Sequence, residues 1–159
     1  QGQWRRIVGN LATHPVERPT DIGRVIDQTL AKLNNRCLIA IVSDFFEDPE
    51  RLRTALARVR HRLHDAMLFQ VVDEQELKFD LKDAAPFEGM EGEGRVRLDP
   101  RAIRAEYLKV FGAHRDRVEK IARSFGFDYQ LVNTHQWLGP PIASFMARRN
   151  AQLKKSKYG

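Results

Sequence analysis

Residues 37–44 read Cys-Leu-Ile-Ala-Ile-Val-Ser-Asp, six apolar positions in a row closed by a serine and a carboxylate. A run of this length, rich in β-branched side chains, suits a strand buried on both faces, as in a parallel sheet covered by helices. In open α/β sheets, ligands bind beyond the carboxyl ends of the strands. Asp44 therefore stands where such folds keep their chemistry. It is equally suited to cap the next helix, since aspartate is a preferred N-cap.

The rest of the chain alternates between helical and extended patterns. Trp4–Leu11 reads as the end of a helix, and Thr13–Pro19 as a loop with two prolines. Thr20 or Asp21 can cap a helix to about Asn34, with Ile22, Val25, Ile26, Thr29, Leu30 and Leu33 inward. Asp48-Pro49-Glu50 opens the next helix, on which Leu52, Leu56, Val59 and Leu63 recur at helical spacing. Met67–Val72 is a second apolar strand, ending at Asp73. Leu77–Leu81 and Arg95–Leu98 alternate around Gly89, Gly92 and Gly94, which predicts a small inserted antiparallel hairpin. Asp99-Pro100 caps a long helix to Phe125, with Ile103, Tyr107, Val110, Phe111, Val118 and Ile121 inward, and Gly126 ends it. Phe127–Val132 is a third strand, and Ile142–Ala151 a final helix. The Lys-rich stretch 152–159 is expected to be a disordered basic tail.

Strands alternating with helices predict an α/β fold in three layers: a mostly parallel sheet with helices on both faces. Three long strands make a thin sheet. One edge of the 38–42 strand is therefore expected to be covered by something this chain lacks, because an exposed apolar edge invites pairing, and a fragment with that edge uncovered could dimerise through it.

The 159 residues suffice for one domain with a core. The net charge of +6 is modest and dispersed, with concentrations at Arg51, Arg53, Arg58, Arg60 and Arg62 and over 148–157. Solvated helix faces account for most of it, and nucleic-acid binding through helix 51–62 and the tail is an alternative. Cys37 is the only cysteine, which excludes an internal disulfide and a cysteine-based zinc site. No apolar run approaches the roughly 20 residues of a membrane span. A reducing, cytoplasmic setting is the expectation. The chain opens on Gln1, from which missing upstream residues are expected.

Pro19-Thr20-Asp21-Ile22 and Leu38–Phe46 together resemble the second half of a von Willebrand factor A-like domain. More narrowly they resemble the bacterial domain of unknown function 58 family. Asp99-Pro100-Arg101 before a helix carrying Tyr107 and His114 fits the same pattern, as do Gly126-Phe127-Asp128-Tyr129 and Asn133-Thr134. The likeness spans about Trp4 to Arg149, so the partial domain is set at 4–151, lacking its first strands. Such domains often hold Mg²⁺ through Asp-x-Ser-x-Ser, a threonine and an aspartate. The last two correspond to Thr20 and Asp44, whereas Asp-x-Ser-x-Ser is absent here. Two ligands alone would hold Mg²⁺ weakly, so tight binding is expected only in a longer protein with the rest of the site. The resemblance also implies a noncatalytic protein-interaction module, partnered by a MoxR-type AAA+ ATPase in chaperone-like or metal-insertion work.

Phe45 and Phe46 follow Asp44 at the rim, and with Asp73 they are the candidate partner-binding residues; core packing is the competing role for the phenylalanines. Asp44 and Asp73 end neighbouring strands and could hold Mg²⁺ for phosphoryl transfer, but no Gly-rich phosphate loop accompanies them. His61 and His64, three apart on a helix, lack further metal ligands. His114 is expected in a structural role and His135 near the carboxyl edge of the sheet. Trp4 and Trp137 are expected to be packing residues.

Overall fold

The computed structural model describes residues 2–13, 21–81, 85–88 and 95–158, with 85–88, 95–98 and 152–158 described by backbone alone. The elements run α1 (Gly2–Thr13), α2 (Ile22–Leu30), β1 (Leu38–Ser43), α3 (Pro49–His61), β2 (Asp65–Val72), α4 (Glu74–Lys78), β3 (Ala85–Glu88), β4 (Arg95–Leu98), α5 (Pro100–Ser124), β5 (Asp128–Asn133) and α6 (Gly139–Tyr158). β1, β2 and β5 form a parallel sheet in the order β1-β2-β5, and β3 and β4 form a separate antiparallel pair.

Local signals set most boundaries. Asp21, Asp48, Asp73 and Asp99 each cap the helix that follows by accepting a backbone N–H in its first turn. Pro49 and Pro100 occupy first-turn positions, where a missing N–H costs nothing. Gly126, at φ +73°, turns the chain out of α5 into β5, a conformation that a side chain would strain.

One face of the sheet carries the main core. Ile22, Ile26 and Leu30 of α2, Leu52, Ala55, Leu56 and Val59 of α3, and Val118, Ile121 and Ala122 of α5 close over Ala66, Leu68 and Tyr129. The opposite face is covered by α6. Phe145 is buried there against the ring of Phe69, and Arg149 bridges Asp65 of β2 and Asp128 of β5. The three expected layers are present.

Several expectations are corrected. β1 is not buried on both faces. It lies at the sheet edge, and Leu38 and Val42 are 44% and 67% exposed because α6 covers β5 and β2 but not β1. Residues 74–78, where the hairpin strand was expected to begin, form a helical turn. A capping box between Asp73 and Glu76 nucleates it, and side-chain alternation cannot overrule two local backbone hydrogen bonds. The hairpin partner of Arg95–Leu98 is instead Ala85–Glu88. α6 extends its backbone through 152–158, where a disordered tail was expected; Gln, Leu and Lys are good helix formers and no breaker intervenes. Val25 and Val110 turn outward, and Trp4 and Trp137 are 70% and 82% exposed rather than packed.

Candidate functional site

The loop after β1, residues 44–47, is held to the body of the protein by its own carbonyls. Gln70, in the middle of β2 and fully buried, donates from Nε2 to the Asp44 carbonyl at 2.8 Å. Its Oε1 accepts the Tyr129 hydroxyl of β5 at 2.7 Å. His114 on α5 reaches the Phe45 carbonyl through Nε2 at 2.9 Å. A carbonyl only accepts, so Nε2 is the protonated nitrogen. Loop, β2, β5 and α5 are thus joined by three tertiary hydrogen bonds. Burial pushes the Tyr129 phenol well above its ordinary range, so it stays a neutral donor.

Within the loop, Phe45 takes a left-handed backbone (φ +58°), uncommon for a large side chain. The strain persists because the ring is wholly inside the core, at 0% exposure. Phe46 then turns outward, 58% exposed, against the rings of His114 (5.7 Å) and Phe111 (5.9 Å). The stack continues along α5 through Tyr107 to Phe79, at 5.6 and 4.1 Å. Positions 107, 111 and 114 share one helix face, so α5 clamps the segments that follow both β1 and β2.

Of the residues singled out from the sequence, Asp44 is exposed at the end of β1. Its Oδ1 accepts the Phe46 N–H (3.2 Å) and the Ser43 hydroxyl (3.3 Å). It braces the loop and caps no helix; that task falls to Asp48. Of the two candidate rim aromatics, Phe46 is at the rim and Phe45 is not. Asp73 caps α4 and also meets Thr134 Oγ1 (3.0 Å) and His135 Nδ1 (3.3 Å). The Gln75 N–H, with Thr134 and His135 adding to it, holds the Asp73 carboxyl below its ordinary range despite partial desolvation. Thr20 lies outside the described residues. Among the described residues, no group of three or more His, Cys, Asp or Glu could hold a metal ion. The acceptor pattern of Asp44 is that of a turn brace, and the described residues fit only a fraction of an Mg²⁺ shell.

Three of the five arginines at 51–62 are engaged within the protein. Arg58 pairs with Asp27, Arg53 with Glu50, and Arg62 donates to the Leu30 carbonyl. His64 is buried, its Nδ1 accepting the Cys37 N–H, while His61 is exposed. The two histidines form no common site.

Sequence reasoning missed Gln70 and Tyr129, whereas His114 takes the structural role expected of it, with the Phe45 carbonyl as its partner. A signal existed for the first. A glutamine inside Met-Leu-Phe-Gln-Val-Val is a polar group in an apolar strand, and a buried amide needs partners. Glu47 was missed as well. Burial pushes its carboxyl up, Asp21 adds to this, and the Ile22 N–H opposes it. Among the described residues, its Oε1 has no hydrogen-bond partner. A raised carboxyl binds its proton more tightly when folded. The associated stability is therefore present at low pH and lost as pH rises through the raised value. Glu47→Gln is expected to melt at a higher temperature than the parent near about pH 7 and to match it near about pH 4. Thermal unfolding at both pH values checks this; an equal gain at both would contradict it.

The family model described as "Protein of unknown function DUF58" matches residues 1–117. No curated protein and no solved structure matches the chain.

Proposed function

The chain belongs to the DUF58 family of proteins of unknown function, and from that premise we propose that it is a noncatalytic protein-interaction module whose binding face is the rim formed by the loop after β1. The observation that carries this reading is the pairing of an exposed Phe46 with the exposed Asp44 on a loop whose backbone is fixed from three sides. An aromatic anchor on a rigid support loses little entropy when it docks, the property of residues that dominate interfaces. Asp73, at the end of the neighbouring strand, extends the acidic side of the same rim. Phe45 serves by positioning Phe46. The proposed partner is a MoxR-type AAA+ ATPase, in keeping with the von Willebrand A-like resemblance. Mg²⁺ held by Thr20 and Asp44 belongs to this reading only where further ligands complete the shell.

The test is capture of the purified cognate ATPase on the immobilised chain, with Mg²⁺ and with chelator. Phe46→Ala is expected to weaken capture by about 10-fold or more, the loss typical of a truncated aromatic anchor. Circular dichroism of the variant should remain that of the parent, because the ring is largely outside the core. Absence of capture by the parent in both conditions would overturn the partner assignment. Undiminished capture by the variant would remove Phe46 from the interface.

A further inference from the structure

The three strands are parallel, so their amino ends share one end of the sheet, opposite the rim that carries Phe46 and Asp44. The turns from α2 into β1 and from α3 into β2 meet there. Two arginines tie them together. Arg36 donates from Nε to the Leu63 carbonyl at 2.9 Å, and Arg62 from Nη1 to the Leu30 carbonyl at 2.8 Å. A carbonyl orients a guanidinium without neutralising it, and arginine has further N–H donors to offer. Lys32, Arg60 and His61 stand exposed at the same end. Segments 28–43 and 51–64 contain no aspartate or glutamate. Among the described residues, no carboxylate pairs with Lys32, Arg36, Arg60 or Arg62. Asp65 and Asp128, at the starts of β2 and β5, are both held by Arg149 on the face that α6 covers. Cations after the last helical turns suit the helix dipole, which accounts for the sign of this end. It does not account for Leu63. Leu63 leads into β2, the central strand, away from the outer edge of β1. Its backbone is left-handed (φ +60°), a conformation that glycine adopts at lower cost, and its side chain is 61% exposed. Phe45 offsets the same strain by burying its ring, whereas Leu63 buries little, so glycine would serve this turn better.

We propose that this end of the molecule docks on an anionic bilayer surface, with Leu63 entering the boundary between headgroups and acyl chains and Lys32, Arg36, Arg60 and Arg62 set against the lipid phosphates. An apolar tip among cations is the combination that such a surface binds: the charges are drawn to anionic headgroups, and the aliphatic side chain leaves water. Arg36 and Arg62, already oriented by carbonyls, can offer their remaining N–H groups to phosphate oxygens. A nucleic-acid backbone presents the same phosphates without an apolar layer behind them. Residues 30–37 and 60–64 also hold no Phe, Tyr or Trp on which a base could stack. The backbone of α6 passes Arg149 toward the same end, and its sequence over 152–158 has three lysines and no acid. In this orientation the rim with Phe46 and Asp44 points away from the bilayer, so the two surfaces are separate.

The test is flotation of the chain with vesicles at about 0.05 M salt. Phosphatidylcholine vesicles with about 30% phosphatidylglycerol are expected to carry it up the gradient, and pure phosphatidylcholine vesicles are not. Raising the salt to about 0.5 M should weaken binding, because exposed charges are screened. Leu63→Gly suits the left-handed turn, so it should melt close to the parent. It should nevertheless bind the anionic vesicles about 10-fold more weakly, the factor for returning most of a leucine side chain to water. Lys32→Glu combined with Arg60→Glu, both at exposed positions, should weaken binding by about 20-fold or more. A labelled DNA duplex at the same low salt serves as the probe for phosphate alone. A parent that does not float with the anionic vesicles would overturn the proposal, and binding to the duplex in its place would assign this end to nucleic acid. Vesicle binding left intact by Leu63→Gly would overturn insertion of the leucine. Binding left intact by the charge reversals would overturn the placement of the contact at this end.

Discussion

Phe45→Ala is expected to lower the free energy of unfolding by about 3–5 kcal/mol, the range for emptying a fully buried aromatic site. Phe45 has no exposed surface and anchors the loop from inside, so its loss removes packing from the α3–α5 side of the core and support from Phe46. A companion variant separates packing from strain. The backbone at φ +58° costs an alanine about 1–2 kcal/mol and a glycine almost nothing. Phe45→Gly should therefore be the more stable of the two by about 1 kcal/mol, although glycine removes more of the side chain and adds freedom to the unfolded chain. Urea unfolding of the three proteins checks both points. Equal stability of the alanine and glycine variants would mean that the left-handed conformation stores no strain.

Gln70→Leu is expected to cost about 2–5 kcal/mol, because it orphans two groups at once. The Tyr129 hydroxyl loses its acceptor and the Asp44 carbonyl its tertiary donor, and a buried unpaired group costs about 1–3 kcal/mol. Leucine is close to glutamine in volume, so little of the loss is cavity. The account is tested by adding Tyr129→Phe. Removing the second partner of an orphaned pair restores part of the stability, so the double variant should be more stable than the sum of the two single losses. Strict additivity would show that the two side chains do not depend on each other. Loosening of the 44–47 loop would appear in the same variants as faster amide exchange at Phe45 and Phe46, because Gln70 is one of the ties that fix it.

These variants probe what the proposed interaction face depends on. Neither Asp44 nor Phe46 is held in place by its own side chain alone. Asp44 braces the turn, but its carbonyl is gripped by Gln70, and Phe46 rests on rings supplied by α5. A rim of this kind keeps its shape before a partner arrives, which is the condition under which a single exposed aromatic can contribute strongly to binding.

The sequence by itself determined those features that depend on near neighbours. The aspartate caps at 21, 48 and 99, the first-turn prolines at 49 and 100, the glycine exit at 126 and the apolar runs of β1, β2 and β5 act over a few residues, and each marks its element directly. The alternation of those elements implied a parallel sheet between helix layers, and the resemblance carried by Pro19–Ile22 and Leu38–Phe46 agrees with the DUF58 match. Only the tertiary structure decided which side chains those elements bring together. Phe45 and Phe46 are the same residue type one position apart. One is core and the other rim because a single left-handed residue turns the chain between them. The burial of β1 followed the same logic. Its composition suits two covered faces, but coverage depends on where α6 lies, and α6 is anchored by Phe145 and Arg149 over β2 and β5. The Gln70–Tyr129 tie spans 59 positions and the His114 bond to Phe45 spans 69. No local pattern encodes a partner at that distance, because it is fixed by the register of strands and the packing of α5, which exist only once the chain has folded.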